Sequence, residues 1–170
     1  MSASARVRGP EHPDTIVAQV QLGENLIDLE RFPEAAATLR HAAETLDRIV
    51  GPAHRYSLSA WSDYAVAACN SHDEDAGLAA LRHVLDVRTA ALPANDWHMA
   101  ANHTVTGMCL VRLHRYDEAG PLLLRGVADL EASRGAGFYQ TQKAYAVLRD
   151  MYRAEGRSGE AERFAAKIDK

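Results

Sequence analysis

Stretches rich in alanine, leucine, arginine and glutamate alternate along the chain with short clusters of proline and glycine, the pattern of helices punctuated by tight turns. Displacing the sequence against itself by 42 residues, the step from Gly9 to Gly51, brings the clusters into line. Val7-Arg8-Gly9-Pro10-Glu11-His12 falls on Ile49-Val50-Gly51-Pro52-Ala53-His54. A further step lands on Leu92-Pro93-Ala94 and another on Arg134-Gly135-Ala136, without an insertion across four repeats. A strict period in this range marks stacked repeats, in which each buries its apolar face only against its neighbours.

Within each repeat the pattern predicts helix, turn, helix. First helices are expected near 13–29, 55–70, 97–113 and 139–155, and second helices near 33–50, 75–91, 117–133 and 159–168. Pro13 and Pro33 suit the first turn, where a proline gives up an amide that has no partner anyway. Asp14, Glu34, Asp117, Glu118 and Glu160 place negative charge at the positive end of a helix dipole. Residues 1–12 read as the tail of a preceding repeat and a linker, because Arg6-Val7-Arg8-Gly9 matches Arg48-Ile49-Val50-Gly51. Residues 13–170 read as a single domain with repeats of about 13–50, 55–91, 97–133 and 139–168.

The repeat resembles the tetratricopeptide signature W-x2-L-G-x2-Y…A-x3-F…P. Its Trp position holds Gln19, Trp61, His103 and Tyr145; its Leu-Gly pair reads Leu22-Gly23, Tyr64-Ala65, Thr106-Gly107 and Leu148-Arg149. Leu26, Ala68, Leu110 and Tyr152 fill the Tyr position. Ala35, Gly77, Ala119 and Ala161 follow, each four residues before Leu39, Leu81, Leu123 or Ala165. Small residues at the crossing points let two helix backbones approach, and Gly107 inside a helix costs about 1 kcal/mol relative to alanine unless such an approach compensates. Glu30-Arg31-Phe32-Pro33-Glu34-Ala35 and His114-Arg115-Tyr116-Asp117-Glu118-Ala119 resemble the R-Y-x-E-A turn of this family. The repeat length and the G-P-x-H boundary are similar to the kinesin-light-chain variant. The resemblance implies an all-α, right-handed superhelical solenoid of four helix-turn-helix tetratricopeptide repeats, eight helices in all. Residues 88–168 further resemble the C-terminal repeats of bacterial serine/threonine protein kinases, through Arg88, Trp97-His98, Gly107-x-Cys109-Leu110, Arg115-Tyr116-Asp117-Glu118-Ala119, Pro121-Leu122-Leu123-Leu124 and Tyr152-x-Ala154-x-Gly156-Arg157. The second repeat departs most from the pattern, with Glu74 where Phe32 and Tyr116 sit and Gly77 in the alanine position, and is expected to pack less tightly.

Composition narrows the function. A net charge of −4 and an isoelectric point near 6.0 argue against nucleic acid as the main partner. No run approaches the ~20 apolar residues of a membrane span, and Met1-Ser2-Ala3-Ser4-Ala5 lacks the apolar core of a signal peptide, so a cytoplasmic protein is expected. Cys69 and Cys109 read as buried free thiols. His98 and His103 are not spaced as a helical zinc pair, and His103, in the Trp position, is expected to pack between helices. His12 and His54 recur at the repeat boundary, where a loop-to-helix hydrogen bond is the expected role. His41, His72, His83 and His114 read as solvated. With no nucleophile elbow, phosphate loop or kinase catalytic loop, neither catalytic residue nor metal nor cofactor is expected and the chain is not read as an enzyme.

The tetratricopeptide resemblance places first helices along a concave groove. The groove positions it implies are Val20, Glu24, Ser62, Val66, Thr104, Met108, Ala146 and Asp150, with Arg112 and Arg153 at the edge. Apart from those two arginines, the positions are neutral or acidic where carboxylate-clamping members carry Lys, Arg and Asn. The expected partner is therefore a protein, engaged through an extended or helical peptide with apolar anchors and basic character, and not a membrane or nucleic acid. Two alternatives stand beside this protein-interaction module: a regulatory or substrate-docking region of a bacterial serine/threonine kinase or other multidomain signalling protein, and a scaffold that self-associates through uncapped ends. Trp97 is expected either to anchor an interface or to tuck against the preceding repeat.

Overall fold

The computed structural model describes Gly9, residues 11–91 and residues 96–168 of the 170-residue chain. The matches drawn at Arg6-Val7-Arg8, Pro10 and Leu92-Pro93-Ala94 lie outside the described residues. Regular structure among those described consists of eight helices: α1 (Pro13–Asp28), α2 (Phe32–Val50), α3 (Arg55–Asn70), α4 (Glu74–Ala91), α5 (Trp97–Arg112), α6 (Tyr116–Arg134), α7 (Tyr139–Ala154) and α8 (Ser158–Ala165). They fall in two compact units, Met1–Ala91 with α1 to α4 and Leu92–Lys170 with α5 to α8. In each unit, helices consecutive in the chain pack together, and the two first helices also touch: α1 with α3, and α5 with α7. The predicted bounds agree to within a residue except at the last helix. There Lys167 and Ile168 donate to carbonyls three residues back, Phe164 at 3.0 Å and Ala165 at 3.3 Å, so the chain leaves α8 in a tightened turn.

The repeat is visible in the backbone at every junction. First helices open from an extended residue at 12, 54, 96 and 138. His12 Nδ1 accepts from the Asp14 amide at 3.2 Å and His54 Nδ1 from the Tyr56 amide at 3.3 Å, which is the loop-to-helix role expected of them. Asp96 does the same for His98 with a carboxylate at 2.9 Å. Just upstream, Gly9, Gly51 and Gly135 all sit at φ of 90–91°, a conformation that L side chains rarely adopt. The carbonyls of Gly9 and Gly51 accept from the Thr15 and Ser57 hydroxyls at 3.0 and 2.9 Å. Inside each helix pair the turn residue is left-handed: Glu30, His72, His114 and Gly156. The following amide reaches back to close the turn, as in Arg31 to Leu26 at 2.8 Å and Arg157 to Tyr152 at 2.8 Å. In three repeats the second helix then opens on an Arg–Glu pair, Arg31–Glu34, Arg115–Glu118 and Arg157–Glu160, and each arginine holds its carboxylate below the usual range.

Leucine and alanine build the core, with Leu39, Leu46, Leu81, Leu123, Leu130 and Leu148 all buried beside Ala35, Ala42, Ala43, Ala60, Ala65 and Ala119. A Cβ on Gly23 would lie 2.4 Å from Leu39 Cγ, and one on Gly107 2.5 Å from Leu123 Cγ, so these glycines are the close approaches the signature implies. The fourth repeat reverses the sizes, pairing Arg149 with Ala165 at the same positions. In the second repeat a Cβ on Gly77 would fall 2.3 Å from Cys69 Sγ. The sulfur thus occupies the space of the missing methyl, so the crossing at Gly77 is filled. Gly107→Ala is expected to destabilise the protein by about 1–3 kcal/mol through overpacking. Because the clash is with a side chain, Gly107→Ala combined with Leu123→Ala should cost less than the two single changes added together. Urea denaturation of the four-member cycle measures this; strict additivity would refute the contact.

The aromatic position ties consecutive repeats together. Trp61 Nε1 donates to Asp47 Oδ2 at 2.9 Å, and Tyr145 Oη donates to Glu131 Oε1. Each acid lies fourteen residues upstream, on the second helix of the preceding repeat.

Candidate interaction surface

The ten groove positions divide by unit. In unit 1, α1 carries Val20 and Glu24, and α3 carries Ser62 and Val66. Val20 is only 8% exposed and belongs to the core, whereas Glu24 is exposed and Ser62 and Val66 are half-buried. Ser62 donates to the Leu58 carbonyl at 2.8 Å and meets Arg88 Nη2 of α4 at 3.5 Å. Arg88 is 7% exposed and stands where α2 and α6 have the core leucines Leu46 and Leu130. Next along α3, Asp63 accepts from Ser59 at 3.4 Å. Burial pushes its carboxyl up to about 7, reinforced by the Glu24 carboxylate and opposed by the Ser59 hydrogen bond and Arg88. Sequence reasoning does not find Asp63, Ser59 and Arg88; the available signal is an arginine at a position that two other repeats fill with leucine.

In unit 2, α5 carries Thr104, Met108 and Arg112, and α7 carries Ala146, Asp150 and Arg153. Thr104 is 3% exposed, bonded to the Ala100 carbonyl at 3.0 Å and pressed against α6, where a Cβ on Gly126 would come within 2.5 Å of its hydroxyl. Thr104 and Val20 are therefore packing residues and are corrected out of the accessible face. Met108 and Ala146 are half-buried; Arg112, Asp150 and Arg153 are exposed. Asp150 is gripped by Arg149 through two bonds of 2.7 and 2.8 Å, with Arg153 at 3.6 Å, and Arg149 holds its carboxyl below the usual range. Its charge is thus matched within the chain by two arginines of its own helix.

Trp97 makes its described contacts with the junction to the next repeat. Its ring lies 3.8 Å from that of His98 at a tilt of 31° and meets Phe138 edge-on at 5.7 Å, and the Arg134 guanidinium lies over the Trp97 and Phe138 rings at 5.1 and 4.8 Å. His103 Nδ1 is buried with no hydrogen-bond partner among the described residues, and burial lowers its pKa, as a packing role requires. His41, His72 and His114 are exposed; His83 is half-buried, edge-on to Trp61 at 5.7 Å and 3.9 Å from Asp47 Oδ2. Cys69 and Cys109 are buried as expected, but neither is a free thiol, which overturns that part of the reading. Among the described residues no group of three or more His, Cys, Asp or Glu is placed to hold a metal ion, and no helix is long and apolar enough to cross a membrane.

Neither a protein-family model nor a curated protein matches the chain. Solved structures do. The nearly identical TPR-like repeats of a protein named as a kinesin light chain of Podosopora anserina match over 96% of this chain and 78% of that one, with 18% identity and a TM-score of 0.68. A single-substitution variant of the same protein matches over 96% and 77%, at 18% identity and a TM-score of 0.71. BtubC (BKLC) from P. vanneervenii matches over 92% of this chain and 63% of that one, at 13% identity and a TM-score of 0.73. With four helix-turn-helix repeats in a single phase and these structural likenesses, the chain has the TPR-like repeat fold.

Proposed function

We propose that this chain is a cytoplasmic protein-binding module with no catalytic chemistry of its own, whose first helices receive an extended or helical peptide carrying apolar anchors and basic side chains. The observation that carries the reading is the α1–α3 face of unit 1. Glu24 is exposed there beside the half-buried Ser62, Asp63 and Val66, so acidic groups adjoin a small, partly apolar surface. Glu24 enters no ion pair among the described residues and acts electrostatically on Asp63, leaving an unmatched negative potential that a lysine or arginine would satisfy. Taken by itself, the α5–α7 face of unit 2 carries the half-buried Met108 and Ala146 with the exposed Arg112 and Arg153.

A displayed random-peptide library selected against the full chain tests this directly. Selected peptides should combine basic residues with apolar ones, and Glu24→Lys should weaken them about tenfold, equivalent to about 1.4 kcal/mol. Enrichment of acidic peptides, or equal affinity for Glu24→Lys, would contradict the proposal.

A further inference from the structure

Two first helices, α3 in unit 1 and α7 in unit 2, each carry a second helix across one face: α2 packs on α3, and α6 on α7. The residues of that face are Ala60, Tyr64 and Ala67 on α3 and Ala144, Leu148 and Met151 on α7, all buried. Trp61 and Tyr145 add a hydrogen bond to the acids Asp47 and Glu131 of the covering helix. The chain enters α1 as it enters α3, through a glycine at φ of 90–91° whose carbonyl accepts from a hydroxyl six residues on. The period assigns the same face of α1 to Ala18, Leu22 and Asn25. No described helix covers it: Leu22 is 52% exposed and Asn25 is exposed as well. Leu29, at the helix end, is 66% exposed and continues the stripe where α3 and α7 are followed by the polar Ser71 and Glu155. Gln19, in the place of Trp61 and Tyr145, has a buried Oε1 with no hydrogen-bond partner among the described residues.

The charge around this face tells which helix fits it. Asp14 stands one turn before Ala18 and Asp28 one turn after Asn25, and the segment from Pro13 to Glu30 contains neither lysine nor arginine. Two copies of α1 laid face to face, in either direction, would set these carboxylates against each other, so a second copy is disfavoured and a cationic helix favoured. We propose that the face of α1 formed by Ala18, Leu22, Asn25 and Leu29 is a docking surface for a basic amphipathic helix of a partner protein, which takes the place that α2 holds on α3. The partner's apolar stripe covers Leu22 and Leu29. Lysines or arginines near its two ends meet Asp14 and Asp28, which are about 21 Å apart along the helix, and a polar side chain between them donates to Gln19 Oε1. Glu24 follows Leu22 by two residues and is turned away from the stripe, toward the groove side. This surface is therefore distinct from the α1–α3 face above, and the proposal does not rest on that reading.

The probe is a synthetic, fluorophore-labelled, alanine-based helix with leucines along one face and lysines near both ends, and its twin has glutamate in place of each lysine. Fluorescence anisotropy against the full chain should show binding of the lysine helix and not of the glutamate twin. Leu22→Asn combined with Leu29→Asn, two exposed positions whose exchange should leave the circular dichroism unchanged, should weaken binding at least about tenfold. Asp28→Asn should weaken it several-fold, and Glu24→Gln should leave it nearly unchanged. In the wild type the side-chain amide NMR signals of Gln19 and Asn25 should shift on addition of the lysine helix. No binding, equal binding of the twin, or binding indifferent to the two asparagines would overturn the proposal. Binding lost in Glu24→Gln but kept in the asparagine variant would place the probe in the groove, overturning the proposal while leaving the groove reading intact. A dimer of the ligand-free chain in sedimentation equilibrium that the two asparagines dissolve would give the face to a second copy and overturn it as well. Failure of the selected groove peptides to bind leaves these expectations unchanged, so the two readings fall separately.

Discussion

Tyr145→Ala is expected to destabilise unit 2 by about 3–5 kcal/mol, the cost of removing a large buried ring. Tyr145 is completely buried and ties its own helix α7 to α6, to α8 and to the turn that follows α8. Its hydroxyl bonds Glu131 of α6, its ring faces Phe164 of α8 at 6.3 Å, and Lys167 Nζ lies 5.0 Å from the ring while bonding the same Glu131 at 2.7 Å. Burial and the Glu131 carboxylate both push the phenol's pKa up, so the hydroxyl stays protonated and donating at every physiological pH. Since a small domain is stable by only about 5–15 kcal/mol, the alanine variant should lose much of unit 2, with α8 the first element released. Tyr145→Phe keeps the ring and should cost only about 1 kcal/mol, because Glu131 is partly exposed and retains Lys167. Urea denaturation followed by Trp97 fluorescence in a Trp61→Phe background reports unit 2 selectively. A loss below about 1 kcal/mol for the alanine variant would mean that Tyr145 does not join α6, α7 and α8.

The second large effect has the opposite sign. Pro121 is the sixth residue of α6, past the first turn, where its missing amide leaves the Asp117 carbonyl without its helical donor. The equivalent positions of α2 and α4 hold Ala37 and Ala79, and Pro121 is exposed, so the ring is not required by the core. The preceding Gly120 eases the strain, since it has no Cβ to collide with the proline ring. Pro121→Ala should therefore stabilise unit 2 by up to about 3 kcal/mol. Adding Gly120→Ala to it should gain about a further 0.5–1 kcal/mol, because among the described residues a Cβ would meet only Met151 Cε, at an ordinary contact distance of 3.6 Å. The same denaturation assay decides this. An unchanged or lowered midpoint for Pro121→Ala would show that the proline acts chiefly by restricting the unfolded chain.

The repeat architecture is legible in the sequence because its signals are local. A histidine cap at 12 and 54, a glycine at 9, 51 and 135, and an Arg–Glu pair at the start of second helices each act over a few residues, and the period multiplies them. The accessible face is less legible, because it depends on how two helices lean together. Thr104 is buried by Gly126, twenty-two positions away on α6, and the spacing from the Trp position does not contain that information. Asp150 reads as a free acid although Arg149 and Arg153 lie within one turn of it. The contact of Arg88 on α4 with Ser62 on α3 draws on two helices; only the exchange of a core leucine for Arg88 hints at it. The state of the cysteines leaves no trace in their spacing.

The most direct test of protein binding through the first helices is a two-dimensional 1H–15N spectrum of the full chain titrated with a selected basic, apolar peptide. The shifts are expected to concentrate at Glu24, Ser62, Asp63 and Val66 on α1 and α3. Shifts confined to α2 and α4, or none at saturating peptide, would contradict binding through the first helices.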